Sequence, residues 1–554
     1  MRETNRRPRW RAARRGVPAG VLAATLAISG GTGAVLAPAG PARAAEVTTP
    51  STAADVTTPS TIVREWLVDS EVTTQFAVNN AIGAPTVWAR LDSAGRPMTG
   101  NGVGVALIDS GIAPVKGLAQ PGKVINGPDL SFESQVANLA NLDTFGHGTH
   151  MAGIIAGRDP ETPEGKENDP RYFAGVAPDA NLVNLRVASA DGAVDTSQVI
   201  AAIDWAVTHR NDPGLNIRVI NLSFGTDSVQ DPRLDPLAYA VEQAWKAGIV
   251  VVVSVGNDGP TDTRVADPAI NPYVIAVAGS DLNGTIPTRD DTMGTFSTRG
   301  DAARHADLVA PGRSIASLRD PGSYVDVNYP SGRVTDGSDR FFKGSGTSQA
   351  AAVVSGAVAL LLQQRPALTP DQVKKLLTAT ARPLTGVDGV AQGAGELNIS
   401  AAVAARTPAS ATQSFADALG TGSLEGSRGT AHVADSETGV ELIGEQDIMG
   451  RPWNPAAWTI ASAAGTAWTD GQWNGTAWAG SDWTGTSWSA RTWAARTWSA
   501  STWTGSSWTA RTWSDAGWTS AGWNARTWSG DTWSARTWSG GSWNSTTWSS
   551  TTWQ

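Results

Sequence analysis

Between about residues 82 and 406, short runs of Val, Ile, Ala and Leu alternate with helix-like stretches, and this alternation constrains the fold more than any other feature. The runs at 103–108, 182–187, 219–222, 249–255 and 274–278 are too short for helices. They are also too uniformly apolar for strands with one wet face, so they read as strands buried on both sides. Helices are expected between them at 149–156, 197–208, 237–247, 349–364 and 369–381. The third ends Lys246-Ala247-Gly248, a cation in the last turn followed by glycine. The fifth opens Thr369-Pro370-Asp371-Gln372, with a cap, proline at the first helical position and a reciprocal partner at the third. Strand–helix alternation of this kind predicts an α/β fold, a doubly wound parallel sheet with helices on both faces. Such sheets bind ligands at the carboxyl ends of their strands, so residues just after a strand are the place to look for chemistry.

The chain has no cysteine, which excludes disulfides, zinc–thiolate sites and thiol catalysis. Its net charge is −9, although residues 1–44 carry eight Arg against one acid, so the remainder is more acidic still. An acidic body argues against nucleic acid as a partner. The basic start, the Ala/Leu/Val-rich stretch 17–36 and the small-x-small site Ala42-Arg43-Ala44 predict a cleaved export signal over 1–44, hence a secreted, extracellular protein. Residues 45–81 contain two copies of Val-Thr-Thr-Pro-Ser-Thr and read as a Thr/Pro-rich linker or short pro-segment. The catalytic domain is placed at 82–406, a linker or extension at 407–452, and a Trp-pentad region at 453–554.

Four residues at strand ends or helix starts carry candidate chemistry. Asp109 leaves the strand 103–108, and His147 opens an apolar helix in Gly146-His147-Gly148-Thr149-His150. Ser348 lies in Gly344-Ser-Gly-Thr-Ser348-Gln349, where a helix N-terminus faces the hydroxyl and favours developing negative charge. Asn257 ends the run 249–255 through Gly256, and its amide is a candidate oxyanion donor. A serine needs a base to take its proton, and the base needs an acid to hold its tautomer. His147 and His150, three apart, could share a face as metal ligands, but no third ligand is set nearby, so no metal site is assigned.

These blocks resemble the catalytic domain of subtilisin-like (subtilase) serine endopeptidases. The likeness rests on Val-Ala-Leu-Ile-Asp109-Ser-Gly-Ile, Gly-His147-Gly-Thr-His-Met-Ala-Gly and Gly-Thr-Ser348-Gln-Ala-Ala-Ala-Val-Val-Ser-Gly. Connecting segments 175–180, 220–225, 296–300 and 309–312 match as well. Asp–His–Ser is also the chain order of subtilisin. The resemblance implies Asp109, His147 and Ser348 as a triad, with Asn257 and the Ser348 amide as an oxyanion hole. It further implies that Ser223-Phe224-Gly225 and Ala190-Asp191-Gly192 are edge strands holding an extended protein or peptide substrate. Phe224 and residues 254–257, Gly256 among them, would border the primary pocket. The activity expected is peptide-bond hydrolysis through an acyl-enzyme. An inactive scaffold that binds surfaces is the alternative, because Gln349-Ala350-Ala351-Ala352-Val353-Val354 replaces the family's usual Met-Ala-x-Pro-His-Val. Many subtilases bind calcium, and the loop 158–171 carries Asp159, Glu161, Glu164, Glu167 and Asp169. Their spacing fits no calcium loop and cations interleave them, so the loop reads as solvated and no cofactor is assigned.

From Trp468 to Trp553, Trp recurs every five residues, preceded in phase by Trp453 and Trp458. A five-residue step turns a helix by about 500°, and in one strand it alternates faces, so neither element alone explains it. The pattern predicts either a β-solenoid with one pentad per side or a low-complexity disordered tail. Exposed indoles would suit cell-wall or polysaccharide attachment. On this reading the tail is separable, and a chain ending near Met449 keeps its turnover.

Overall fold

The computed structural model describes residues 72–478 except 137 and 436–438, with short backbone fragments beyond. The expected signal segment 1–44, residues 45–71 of the expected linker or pro-segment, and the side chains of the pentads from Trp483 on lie outside the described residues.

The described chain opens ten residues before the expected boundary at 82, with β1 (Thr73–Thr74), α1 (Gln75–Ile82) and α2 (Ala84–Trp88). The threonines that read as linker have local work. Thr74 Oγ1 accepts the Ala77 amide at 3.1 Å as the cap of α1, whose Val78 and Ile82 are fully buried.

The main sheet contains β2 (Gly104–Asp109), β3 (Val124–Asn126), β4 (Asn181–Arg186), β5 (Ile217–Leu222), β6 (Val250–Ser254), β7 (Ile275–Asp281), β8 (Thr292–Met293) and β9 (Leu308–Pro311). Its order is β3-β4-β2-β5-β6-β7-β8, with β9 also on β7, and every pairing but β7–β8 is parallel. Helices α3 (His147–Ala156), α4 (Thr196–His209) and α5 (Pro236–Lys246) fall close to the expected spans. Next come β10 (Ile315–Leu318), α6 (Tyr324–Asn328) and β11 (Phe341–Gly344), then α7 (Thr347–Gln364), α8 (Pro370–Thr380), α9 (Gly389–Gln392) and α10 (Ile399–Ala404). Helices α3 and α7 pack together, as do α4 and α5. Apart from its final residue α7 is buried all round, which is why its sequence shows no polar stripe. The capping box read at Thr369 is present, with Gln372 N donating to Thr369 Oγ1 (3.2 Å) and Thr369 N to Gln372 Oε1 (3.0 Å).

The strand order reverses at β2, which lies between β4 and β5. That is the switch point where an open α/β sheet leaves a crevice.

Residues 407–452 are not a linker. They hold α11 (Leu424–Arg428) and β12 (Val433–Asp435), and bury Leu424, Val433, Leu442 and Ile448 in the common core. The first pentads continue the packing through α12 (Pro455–Ala463), β13 (Trp468–Thr469), β14 (Gln472–Trp473) and β15 (Thr476–Ala477). The Trp458 and Trp473 indole N–H groups both donate to Asp204 Oδ2 on α4, at 2.8 and 2.9 Å, and Ser462 Oγ donates to Oδ1 at 2.6 Å. Trp468 Nε1 reaches the Ala201 carbonyl at 2.7 Å. Burial pushes the Asp204 carboxyl up, against these donors.

These strands form an antiparallel meander, not a solenoid. Asp470 and Gly471 (φ 52° and 75°) and Asn474 and Gly475 (φ 47° and 71°) make two-residue turns of the kind that close tight hairpins. Around the first turn, residues five apart stand opposite each other, and Trp468 pairs with Trp473. A hairpin, unlike a single helix or strand, thus accounts for this five-residue step. The described indoles are buried against the domain, so they are not presented for attachment to a polysaccharide.

Candidate active site

Asp109 is the last residue of β2 and His147 the first of α3. His147 Nδ1 lies 2.9 Å from Asp109 Oδ1 and 3.0 Å from Oδ2. Burial pushes the Asp109 carboxyl up, while the imidazole and the Ser110 amide, which donates at 2.7 Å, hold it down. The close approach depends on Gly148, where a Cβ would stand 2.1 Å from the Gly111 carbonyl oxygen. Asp143 fixes the turn before α3. It accepts the amides of Gly146 (2.7 Å) and Thr149 (2.7 Å) and the Ser110 hydroxyl (2.8 Å). Its position ahead of His147 is a cap-type signal that pattern reading could have picked out. His150 turns away, with Nε2 donating to the carbonyls of Ile315 and Phe342 at 3.1 Å. Burial, and then His147, push its imidazole down to about 3, so it stays neutral.

Ser348 lies in the first turn of α7. Its carbonyl accepts the Ser223 hydroxyl at 3.5 Å, just past β5, which is the strand beside β2. Asn257 follows β6 through Gly256, whose φ of 112° favours glycine. Thr347 N and Oγ1 donate to Asn257 Oδ1 at 2.9 and 3.0 Å. That pins the amide, leaving the buried Nδ2 without a partner among the described residues. Helices α3 and α7 meet where a Cβ on Gly356 would come within 3.1 Å of the Ile155 carbonyl. His147 and Ser348 each lie eight residues N-terminal of that contact. All four residues are therefore at the carboxyl edge of β2, β5 and β6.

The two expected edge strands are absent from the sheet ladders of the described residues. Ala190-Asp191-Gly192 is a turn after β4, closed by Gly192 N to Ser189 O (2.8 Å), with Gly192 at φ 81°. Asp191 Oδ1 tightens it by accepting Ser189 Oγ and Ala193 N. Glu133 Oε1 accepts the Ala190 amide at 2.8 Å, while its other oxygen meets Thr144 and the buried Arg186. Sequence reading missed this Glu133–Arg186 brace, for nothing local joins residues 53 apart. Ser223-Phe224-Gly225 leaves the ladder after Leu222, with Phe224 buried.

The model described as "Subtilase family" matches residues 100–414. The chain is a subtilase. It is 37% identical over 310 residues to serine protease AprX of Bacillus subtilis (strain 168), covering 55% of this chain and 66% of that protein. With subtilisin DY of Bacillus licheniformis it shares 32% over 305 residues, covering 55% and 91% of the two chains. Among solved structures, a cold adapted subtilisin-like serine proteinase aligns over 54% of this subtilase and 89% of its own chain, at 29% identity and a TM-score of 0.40. Residues 415–554 lie outside the family match.

The acidic loop of this subtilase is largely paired with the chain's own cations. Asp159 pairs with Arg340, Glu167 with Arg158 (3.1 Å), Glu161 with Lys116 (3.2 Å) and Asp169 with Arg171. Asp159 and Glu167 are buried in these pairs, which corrects the reading of the whole loop as solvated. Cations of the chain itself thus pair with four of the loop's five carboxylates, Asp159, Glu161, Glu167 and Asp169. We expect a chelator to leave the melting temperature unchanged, as checked by thermal unfolding with EDTA and with added calcium.

Proposed function

We propose that this subtilase is an exported serine endopeptidase. His147 takes the Ser348 proton as Oγ attacks the peptide carbonyl, and Asp109 holds the imidazole and its developing charge. The oxyanion is received by Asn257 Nδ2 and the Ser348 N–H at the start of α7. His147 then passes the proton to the leaving amine, and a water repeats the sequence to free the acyl group. An extended peptide would lie between Ala190-Asp191-Gly192 and Ser223-Phe224-Gly225. The buried Phe224 and the Gly256 segment favour an apolar side chain in the primary pocket.

One observation carries this reading: the Asn257 amide, buried and pinned through Oδ1 to Thr347, the residue before Ser348, keeps a donor without a partner among the described residues. An unsatisfied buried donor costs about 1–3 kcal/mol, a cost that a bound oxyanion would offset. The inactive alternative draws nothing from the residues after Ser348, which continue α7 as a buried helix. Secretion is supported by the basic, small-site-ended segment 1–44.

The test is labelling by a fluorophosphonate, expected on Ser348 alone; a folded protein that resists it would sink the reading. Asn257→Ala should lower turnover by about 10²–10³, the order an oxyanion donor contributes in subtilisin itself, with KM little changed. Steady-state kinetics on a soluble peptide checks this.

A further inference from the structure

The two segments flanking the crevice are joined on their outer side by a dipeptide outside the family match. Asp195, three residues past Gly192, is the N-cap of α4, and its side chain accepts the Ser197 amide at 2.9 Å. Arg428, fully buried at the end of α11, donates from Nε to Asp195 Oδ1 at 2.6 Å and from Nη2 to Oδ2 at 3.4 Å. Its remaining donors meet Glu425 Oε2 (3.2 Å) and the carbonyls of Gly444 (2.8 Å) and Gln446. Burial would raise the Asp195 carboxyl, but the guanidinium outweighs it and holds the group below its usual range.

The neighbouring residue grips the second segment. Thr226, directly after Gly225, donates from Oγ1 to the Ser427 carbonyl at 2.6 Å. Ser427 Oγ in turn donates to Asp235 Oδ1 at 2.8 Å, and Asp235 is the N-cap of α5. The helices that follow the two segments are thus tied at their N-terminal caps by adjacent residues. On the inner side β2 holds β4 and β5 apart, so a peptide between the segments would span about two strand spacings, roughly 9–10 Å. Glu133 anchors Ala190 from one side and the 427–428 pair fixes the far ends of both loops.

We propose that Ser427 and Arg428 are positioning residues that set the separation of the two peptide-binding segments, so that an extension beyond the family domain governs how tightly extended substrates bind. This rests on the peptidase reading above. Neither residue takes part in the chemistry, so the clamp acts on KM for substrates long enough to touch both segments and leaves the nucleophile alone.

The test compares Arg428→Met and Thr226→Val with the unmodified full chain. Each is assayed on a tetrapeptide anilide and a single-residue ester, alongside its rate of fluorophosphonate labelling. For Arg428→Met the tetrapeptide KM should rise about tenfold, while kcat, ester hydrolysis and labelling stay within about threefold. Thr226→Val removes the bond to the Ser427 carbonyl and the long 3.4 Å one that the same hydroxyl accepts from the Ser228 amide, and should raise the same KM about threefold. It decides the matter should Arg428→Met fail to fold, since it leaves no buried charge unpaired. A folded variant set with an unchanged tetrapeptide KM overturns the clamp, as does an equal loss on anilide, ester and probe. A wild-type chain that the probe does not label overturns the peptidase reading and the clamp with it.

Discussion

Ser348→Ala is expected to give a folded protein whose peptide hydrolysis has fallen by about 10⁶, the order seen on removing a member of subtilisin's own triad. His147→Ala should lose about as much, because a hydroxyl without its base and a base without its hydroxyl are equally idle. The double substitution should cost little more than either single one. His147 sits at a helix start whose backbone geometry comes from Gly146, Gly148 and Asp143, and Ser348 in the first turn of α7, whose N-cap is Gly346, so neither side chain sets the local backbone and neither change disturbs the fold. Turnover on a soluble peptide, with thermal unfolding as the control for folding, checks both. A purified Ser348→Ala protein at full activity would falsify the assignment of the nucleophile.

The second large effect reverses the expectation of a separable tail. A chain ending at Met449 should fail to accumulate as a folded, active protein. The cut removes five indoles that are each at most 8% exposed, Trp453, Trp458, Trp468, Trp473 and Trp478. Deleting one buried Trp side chain costs about 3–5 kcal/mol, and a domain's whole margin is about 5–15 kcal/mol. The cut also strips Asp204 of its three donors and uncovers the outer side of α4. Trp473→Ala in the full chain should lose several kcal/mol without touching kcat, as read from denaturant unfolding and initial rates. A truncated protein with normal turnover and an unchanged melting temperature would restore the tail to the role its repetitiveness first suggests.

The parts of the molecule legible in the sequence are those whose evidence is local. A fully apolar run followed by an acid, as at Asp109, announces both a buried strand and a residue delivered to its end. Thr369 and Gln372 write a capping box within four residues. What stayed hidden depends on residues far apart in the chain. Nothing around Asp204 signals that two indoles more than 250 residues later will bond to it. Arg428 resembles any arginine of a polar stretch until Asp195, 233 residues earlier, is placed beside it. The step from Trp468 to Trp473 was hidden for another reason: it spans a pair of strands and the turn between them, which no single-element period describes.

The gap of 254 residues between Asp204 and Trp458 also sets an order in time. At about 5–20 residues per second, synthesis reaches Trp458 roughly 13–50 seconds after Asp204 has been made. Until then the helix that carries Asp204 has an apolar flank and a carboxylate with nothing to receive. Asp109, His147, Asn257 and Ser348 all precede Trp458 in the chain, yet the fold that holds them is sealed only by what comes after. A nascent or prematurely ended chain is thereby left with that flank uncovered.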